Sequence, residues 1–161
     1  AGFVGIGCAL IARDAGAEVV LVGAPRDADT RLAAASALGI RTLTTDQGGW
    51  GEPDVWVEAS GASAALASAF EHTRTGGRIA VVGMFTQPPS TNFNLLVRRE
   101  LEVRGSYASV LKDYSLVIDL LTQDRLEVES LLEKFDLEQG VSALESAAES
   151  KILKPILIPA Q

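Results

Sequence analysis

Cysteine and histidine are almost absent from this chain: among 161 residues each occurs once, as Cys8 and His72. A lone cysteine excludes an internal disulfide framework, and one cysteine with one histidine cannot make a Cys/His zinc site. Positive charge is also scarce, with 14 Lys and Arg against 21 Asp and Glu and a net charge of -7. A sequence-independent grip on a nucleic-acid backbone needs a cationic face, so no nucleic-acid partner is expected. Two or three local cations would still serve one phosphorylated ligand. The sequence has no apolar run of membrane-spanning length and no secretory signal pattern. No membrane partner is therefore expected, and the expected location is cytoplasmic.

What is abundant is apolar: 47% of the residues are hydrophobic, enough for one packed core. Their pattern alternates. Val4–Ala15 reads as a helix, small and apolar and stopped at Gly16; Glu18–Val22 is a β-branched strand. Asp29–Leu38 reads as a helix, Arg41–Thr44 as a weak strand, Val55–Glu58 as a strand and Ala62–His72 as a helix. Arg78–Val82 is a buried strand, Leu95–Arg99 a short helix and Leu101–Gly105 a strand. Lys112–Gln123 is amphipathic, with Tyr114, Val117, Ile118 and Leu121 at helical spacing. A strand near Leu131–Phe135, a helix over Leu137–Glu149 and a strand over Pro155–Ile158 close the series. Short apolar strands alternating with helices predict βαβ units and a parallel sheet covered on both faces. Cys8 reads as a small core residue of the first helix and His72 as a helix-terminal or surface residue.

The opening AGFVGIGCALIARDAGAEVVLVGAPRD carries the first sign of chemistry. A dinucleotide turn uses one glycine for a sharp bend, a second for close approach of the backbone to a pyrophosphate, and a third for helix–strand packing. Gly2 and Gly5 have the spacing of the second and third, and the phosphates would sit on the free N–H groups of the helix start. An ordinary tight strand-to-helix turn would have the same glycines. At the end of the next strand, where an acid usually binds the ribose hydroxyls of NAD, stands Gly23. Arg26 follows and Arg31 lies beyond it. A glycine leaves room and a guanidinium can pair with a 2′-phosphate, which favours NADP over NAD. Asp27 and Asp29 offer alternative hydroxyl ligands.

The middle of the chain is more specific in combination. Glu58-Ala59-Ser60-Gly61, Gly76-Gly77-Arg78, Val82-Gly83-Met84 and Arg99-Glu100-Leu101 through Gly105-Ser106 follow in order and spacing. With the closing ESAAESKILKPILIP they make essentially the whole chain resemble the coenzyme domain of the medium-chain dehydrogenase/reductases, in the zinc-type alcohol, polyol and threonine dehydrogenase branch. The resemblance implies a Rossmann-like, doubly wound parallel α/β sheet. It implies cofactor contacts at Gly2, Phe3, Val4 and Gly5 (pyrophosphate turn), Gly23 and Arg26 (adenosine ribose), and Ala59, Ser60 and Gly61 (the adenine-side to central crevice at a strand end). It further implies contacts at Val82, Gly83 and Met84 (nicotinamide), Ser106 (carboxamide) and Lys154 (pyrophosphate, from the tail).

The same resemblance implies that the chain is the C-terminal part of a larger enzyme. Its first sheet strand and the N-terminal domain that holds catalytic zinc are then expected outside this sequence. Residues 1–130 would be the dinucleotide domain, and 131–161 a tail returning toward the absent domain. Zinc there would act as a Lewis acid on the alcohol oxygen during hydride transfer to or from nicotinamide. No catalytic residue and no metal ligand is assigned within the chain. The cofactor is NADP or NAD, the substrate a small-molecule alcohol. The strand Leu101–Val103 lies near a sheet edge, and the family pairs such edges into a homodimer or homotetramer. A stand-alone NADP(H)-binding or redox-sensing module without catalysis is the alternative. A methyltransferase fits less well, because its cofactor ribose wants an acid where Gly23 stands. One departure from the family is the loop TTDQGGWGEP, too short for an ordinary helix. Either Trp50 plugs the gap or the adjacent sheet face is less covered than usual.

Overall fold

The structure, a computed structural model, describes residues 1–159. The chain forms two compact units, one of residues 1–48 with the segment from Ser115 onward, the other of residues 49–114. Every strand pair in either unit is parallel, as the run of βαβ units requires.

In the first unit, α1 (Phe3–Asp14) follows Gly2 and ends before Gly16, whose φ of 89° suits only glycine. Its buried residues Ile6, Ala9 and Leu10 recur at i, i+3 and i+4 and form one stripe. β1 (Val20–Gly23) pairs with β2 (Arg41–Thr44), from Val20 opposite Arg41 to Gly23 opposite Thr44. The segment between them is expected as one helix, but it enters through a 3-10 turn (Pro25–Asp27) and a wide π turn (Ala28–Leu32) before α2 (Ala33–Ala37). Asp27 causes the tight entry: its carboxylate accepts the Ala24 N–H at 3.1 Å. Ile6, Leu10, Ala35 and Ile40 share one core with Leu120 and Leu131. Arg13 donates to the Leu38 carbonyl, closing the end of α2.

The later part of this unit adds β6 (Leu132–Asp136), paired in parallel with β7 (Lys154–Ile158). The helix expected over Leu137–Glu149 begins as a 3-10 turn at Leu137–Gln139, where the Gln139 side chain accepts the Asp136 N–H at 3.0 Å. The α-helix proper runs Gly140–Ala148. Leu131 and Leu153 join the core that α1 builds, so part of the tail is structural to this unit. Arg125 grips Asp14 through two N–H groups at 3.0 and 2.7 Å, fixing the end of α1.

In the second unit the sheet order is β3 (Val55–Glu58), β4 (Arg78–Val81), β5 (Glu102–Gly105). α3 (Ser63–His72) links β3 to β4, and α4 (Asn94–Arg98) precedes β5. Leu66, Ala69, Phe70, Ile79 and Leu101 make the core. Trp50 stands edge-on to Trp56, with centroids 6.4 Å apart, and to His72 at 5.6 Å. It thus packs on the Trp56 face of β3. The opposite face carries Val55 and Val57, 53% and 42% exposed, because side chains alternate along a strand. Trp50 does not cover that face, which is less covered than the Trp56 side. All four residues of the edge strand β5 are exposed.

The helix α5 (Leu111–Thr122) forms where the spacing predicts it. Leu120 is buried and Val117 packs beside it, whereas Tyr114, Ile118 and Leu121 are exposed. Helical spacing shows which apolar residues share a face; it does not show whether anything covers them.

Phe70 is 2% exposed and meets Phe93 edge-on, with centroids 5.7 Å apart. Phe70→Ala is expected to lower unfolding stability by about 3 kcal/mol or more. Both tryptophans lie in the same unit as Phe70, so a urea transition followed by tryptophan fluorescence measures this; an unchanged midpoint would contradict the packing described.

Candidate functional site

The expected site residues fall into two groups, one in each unit. In the first unit they gather at the start of α1. The first N–H groups of a helix have no acceptor within it; here the first intrahelical bond closes from the Ile6 N–H to the Gly2 carbonyl at 2.9 Å. No side chain caps the start, and the first turn holds no acid that would repel an anion. A Cβ built on Gly2 meets nothing within 4 Å, so this glycine faces open space. Phe3 and Gly5 are half-buried and Val4 is exposed. Lys154 opens β7 and places its ammonium 5.7 Å from the Phe3 ring centroid, bringing a tail cation to the helix start.

Gly23 ends β1, but not as an opening. It is buried, and a Cβ there would lie 2.9 Å from the Ala1 Cβ and 3.0 Å from the Leu32 side chain. The room expected in front of it is filled by the chain itself. Arg26 stands exposed in the turn that follows. Asp27 is turned inward at 4% exposure, where it holds the Ala24 N–H and meets Arg31 at 3.4 Å. Its oxygens are thereby engaged in shaping the turn, which leaves the exposed Asp29 as the more accessible acid.

In the second unit the expected residues converge where β3 and β4 end. The Glu58 carbonyl accepts the N–H groups of Val82 at 2.8 Å and Gly83 at 3.0 Å. The Glu58 side chain, 1% exposed, accepts the Ser60 N–H at 2.8 Å, the Ser60 hydroxyl at 2.5 Å and the Gly61 N–H at 3.0 Å. The Ser60 hydroxyl also accepts the Ala62 N–H at 3.1 Å. Gly61 has φ 69°, and a Cβ on it would strike the Met84 carbonyl, 3.0 Å from its carbon. A Cβ on Gly83 would come 2.9 Å from the Gly61 Cα and strike the Glu58 carboxylate. The two loops meet main chain to main chain, which only glycine at both positions allows. Ala59 is half-buried beside this contact, and the Met84 side chain is 78% exposed.

Ser106 continues the β4–β5 ladder through its N–H to the Val81 carbonyl at 2.9 Å. Its side lies in a concavity of about 340 Å³ that Arg104, Tyr107 and Asp113 also line. The residue that sequence reasoning passed over is Glu58, read there as part of a motif and given no role. A hydroxyl residue two positions after an acid at a strand end was the available signal, since such pairs close local side-chain turns.

Cys8 is half-buried, and burial pushes its thiol above the usual range while a backbone hydrogen bond acts the other way. Among the described residues no three His, Cys, Asp or Glu side chains gather as a metal site. No helix among them is long and apolar enough to cross a membrane.

A family model described as zinc-binding dehydrogenase matches residues 4–123. A sorbitol dehydrogenase of Halalkalibacterium halodurans is 26% identical over 98% of this chain and 50% of its own length. An alcohol dehydrogenase zinc-binding domain protein of Burkholderia ambifaria superposes over 100% of this chain and 47% of its own with a TM-score of 0.87, at 25% identity. A short chain alcohol dehydrogenase of Escherichia coli CFT073, solved with the cofactor NADH, shares the fold at a TM-score of 0.84 and 17% identity, over 99% of this chain and 50% of its own. The chain spans about half the length of the curated relatives it matches.

The geometry separates two glycines that look alike in sequence. Gly2→Ala is expected to change folding stability by no more than about 0.5 kcal/mol. Gly61→Ala combines a left-handed backbone with a main-chain clash and is expected to cost about 2 kcal/mol or more. Chemical denaturation of both variants checks this, and equal effects would refute the loop contact.

Proposed function

Because the chain belongs to the zinc-binding dehydrogenase family, we propose that it is the nicotinamide-dinucleotide-binding part of an alcohol or polyol dehydrogenase. The observation that carries this reading is the start of α1: uncapped, free of acids, open at Gly2, and joined by the ammonium of Lys154. Such a start suits a pyrophosphate, through the N–H groups of its first turn and the positive end of the helix. The second unit supports the reading independently, because its glycine-tight loops lie at the carboxyl ends of parallel strands, where α/β sheets bind ligands. These residues fit a dinucleotide.

When bound, a nicotinamide cofactor supplies the acceptor or donor of hydride. The chain's own work is binding and orientation. Phe3, Val4 and Gly5, beginning α1, hold the pyrophosphate with Lys154; Gly23 and Arg26 lie toward the adenosine ribose. Ala59, Ser60 and Gly61 line the adenine-side to central crevice, Val82, Gly83 and Met84 form the main-chain seat for the nicotinamide end, and Ser106 reaches its carboxamide. Arg26 is the residue that favours a 2′-phosphate, hence NADP over NAD, since a guanidinium pairs with phosphate in bidentate fashion. A zinc ion, which the family name implies, is proposed to be held by residues other than those described. Sorbitol dehydrogenase among the relatives makes a polyol or other small alcohol the proposed substrate of the whole protein. The dehydrogenases matched do not favour a stand-alone sensor.

Calorimetric titration with NADPH and NADH tests this. NADPH is expected to bind more tightly, and Arg26→Ala to remove about tenfold of that preference. Tighter NADH binding would move the ribose role to Asp29; no binding of either would reject the reading.

The exposed edge strand β5 is further proposed to pair with a second copy, giving a homodimer or homotetramer. Light scattering is expected to return at least twice the monomer mass, and a monomer at high concentration would reject the pairing.

A further inference from the structure

Resting on that functional reading, we propose that Glu58 is a positioning residue for the cofactor, its carboxylate holding the Ser60–Gly61 turn against the Gly83–Met84 main chain that seats the nicotinamide end. Burying a carboxylate is unfavourable unless it is well satisfied. Glu58 is 1% exposed, and none of the ion pairs found among the described residues includes it. Its partners are local dipoles: two N–H groups and a hydroxyl, all donated by Ser60 and Gly61 to one oxygen at 2.5–3.0 Å, with Gly61 also 3.3 Å from the other. Successive N–H groups closing on an anion form a nest, and here the anion belongs to the chain.

The arrangement divides labour within one residue. The main-chain carbonyl of Glu58 takes Val82 and Gly83, and its side chain takes Ser60 and Gly61. Gly83 leaves the space the carboxylate occupies, since a Cβ there would strike it. Shortening or neutralising the side chain therefore releases the first loop while the second keeps its main-chain bonds. An apolar side chain would fill the same volume, but it could not accept three donors and would leave them unpaired.

The test compares Glu58→Gln and Glu58→Asp in the full chain by two readouts. In amide hydrogen exchange, Ser60 and Gly61 are expected to exchange at least about tenfold faster in Glu58→Asp, with the β4 amides of Ile79 and Val81 unchanged. In titrations, the better bound of NADH and NADPH is expected to weaken at least about tenfold, while ADP-ribose, which lacks the nicotinamide ring, stays within about twofold. Glu58→Gln keeps one acceptor oxygen and is expected to fall between; it carries the test if the aspartate variant does not fold. Unchanged exchange at Ser60 and Gly61 overturns the proposal. So does an equal loss for the dinucleotide and ADP-ribose, which marks a merely structural role. A parent chain that exchanges as expected but binds neither dinucleotide overturns the functional reading, and leaves Glu58 only a pin within the loop.

Discussion

Where β3 ends, a single buried carboxylate has to be satisfied without a cation. The structure does this with the N–H groups and hydroxyl of the next few residues, and the consequences spread from there. The Ser60 hydroxyl, drawn onto Glu58, also receives the Ala62 N–H just ahead of α3. Gly61 gives its N–H to the same carboxylate and turns the chain onward with a left-handed backbone. Met84 then lies so near Gly61, and Gly61 so near Gly83, that neither glycine can gain a side chain. One desolvation problem thus sets the Ser60–Gly61 turn, and the main-chain carbonyl of the same residue holds the second loop beside it.

In the first unit, too, the proposed cofactor contacts fall on main chain. The start of α1 offers N–H groups and an open glycine, and Lys154 is the charged side chain beside Phe3. Recognition by backbone dipoles needs few special side chains, which accords with a chain carrying one cysteine and one histidine. It also places the burden on local geometry. Asp27 shows how closely that geometry is held, because an acid at the surface end of β1 is spent on shaping the turn that displays Arg26.

Much of the fold was readable because apolar periodicity reports secondary structure directly. The strands at Arg41–Thr44 and Val55–Glu58 lie where the pattern predicts them, and α1 is displaced by one residue at each end. The helix entries at Pro25–Leu32 and Leu137–Gln139 were not readable, since side-chain to backbone bonds from Asp27 and Gln139 altered the first turns. Which residues of α5 are covered was not readable for another reason. Spacing aligns Tyr114, Ile118 and Leu121, but their exposure depends on what lies opposite.

The sequence by itself determined the parallel α/β class, the order of elements, the acid-free helix start after Gly2 and the family resemblance. All of these follow from local chemistry and spacing along the chain. Only the tertiary structure decided that Gly23 is packed rather than open, that Asp27 points inward, and that the Val55–Val57 face is the less covered one. It alone brought Lys154 to Phe3 and Glu58 between the loops of Gly61 and Gly83. Those outcomes depend on which distant residue occupies the neighbouring space, and spacing along a single chain carries no record of that.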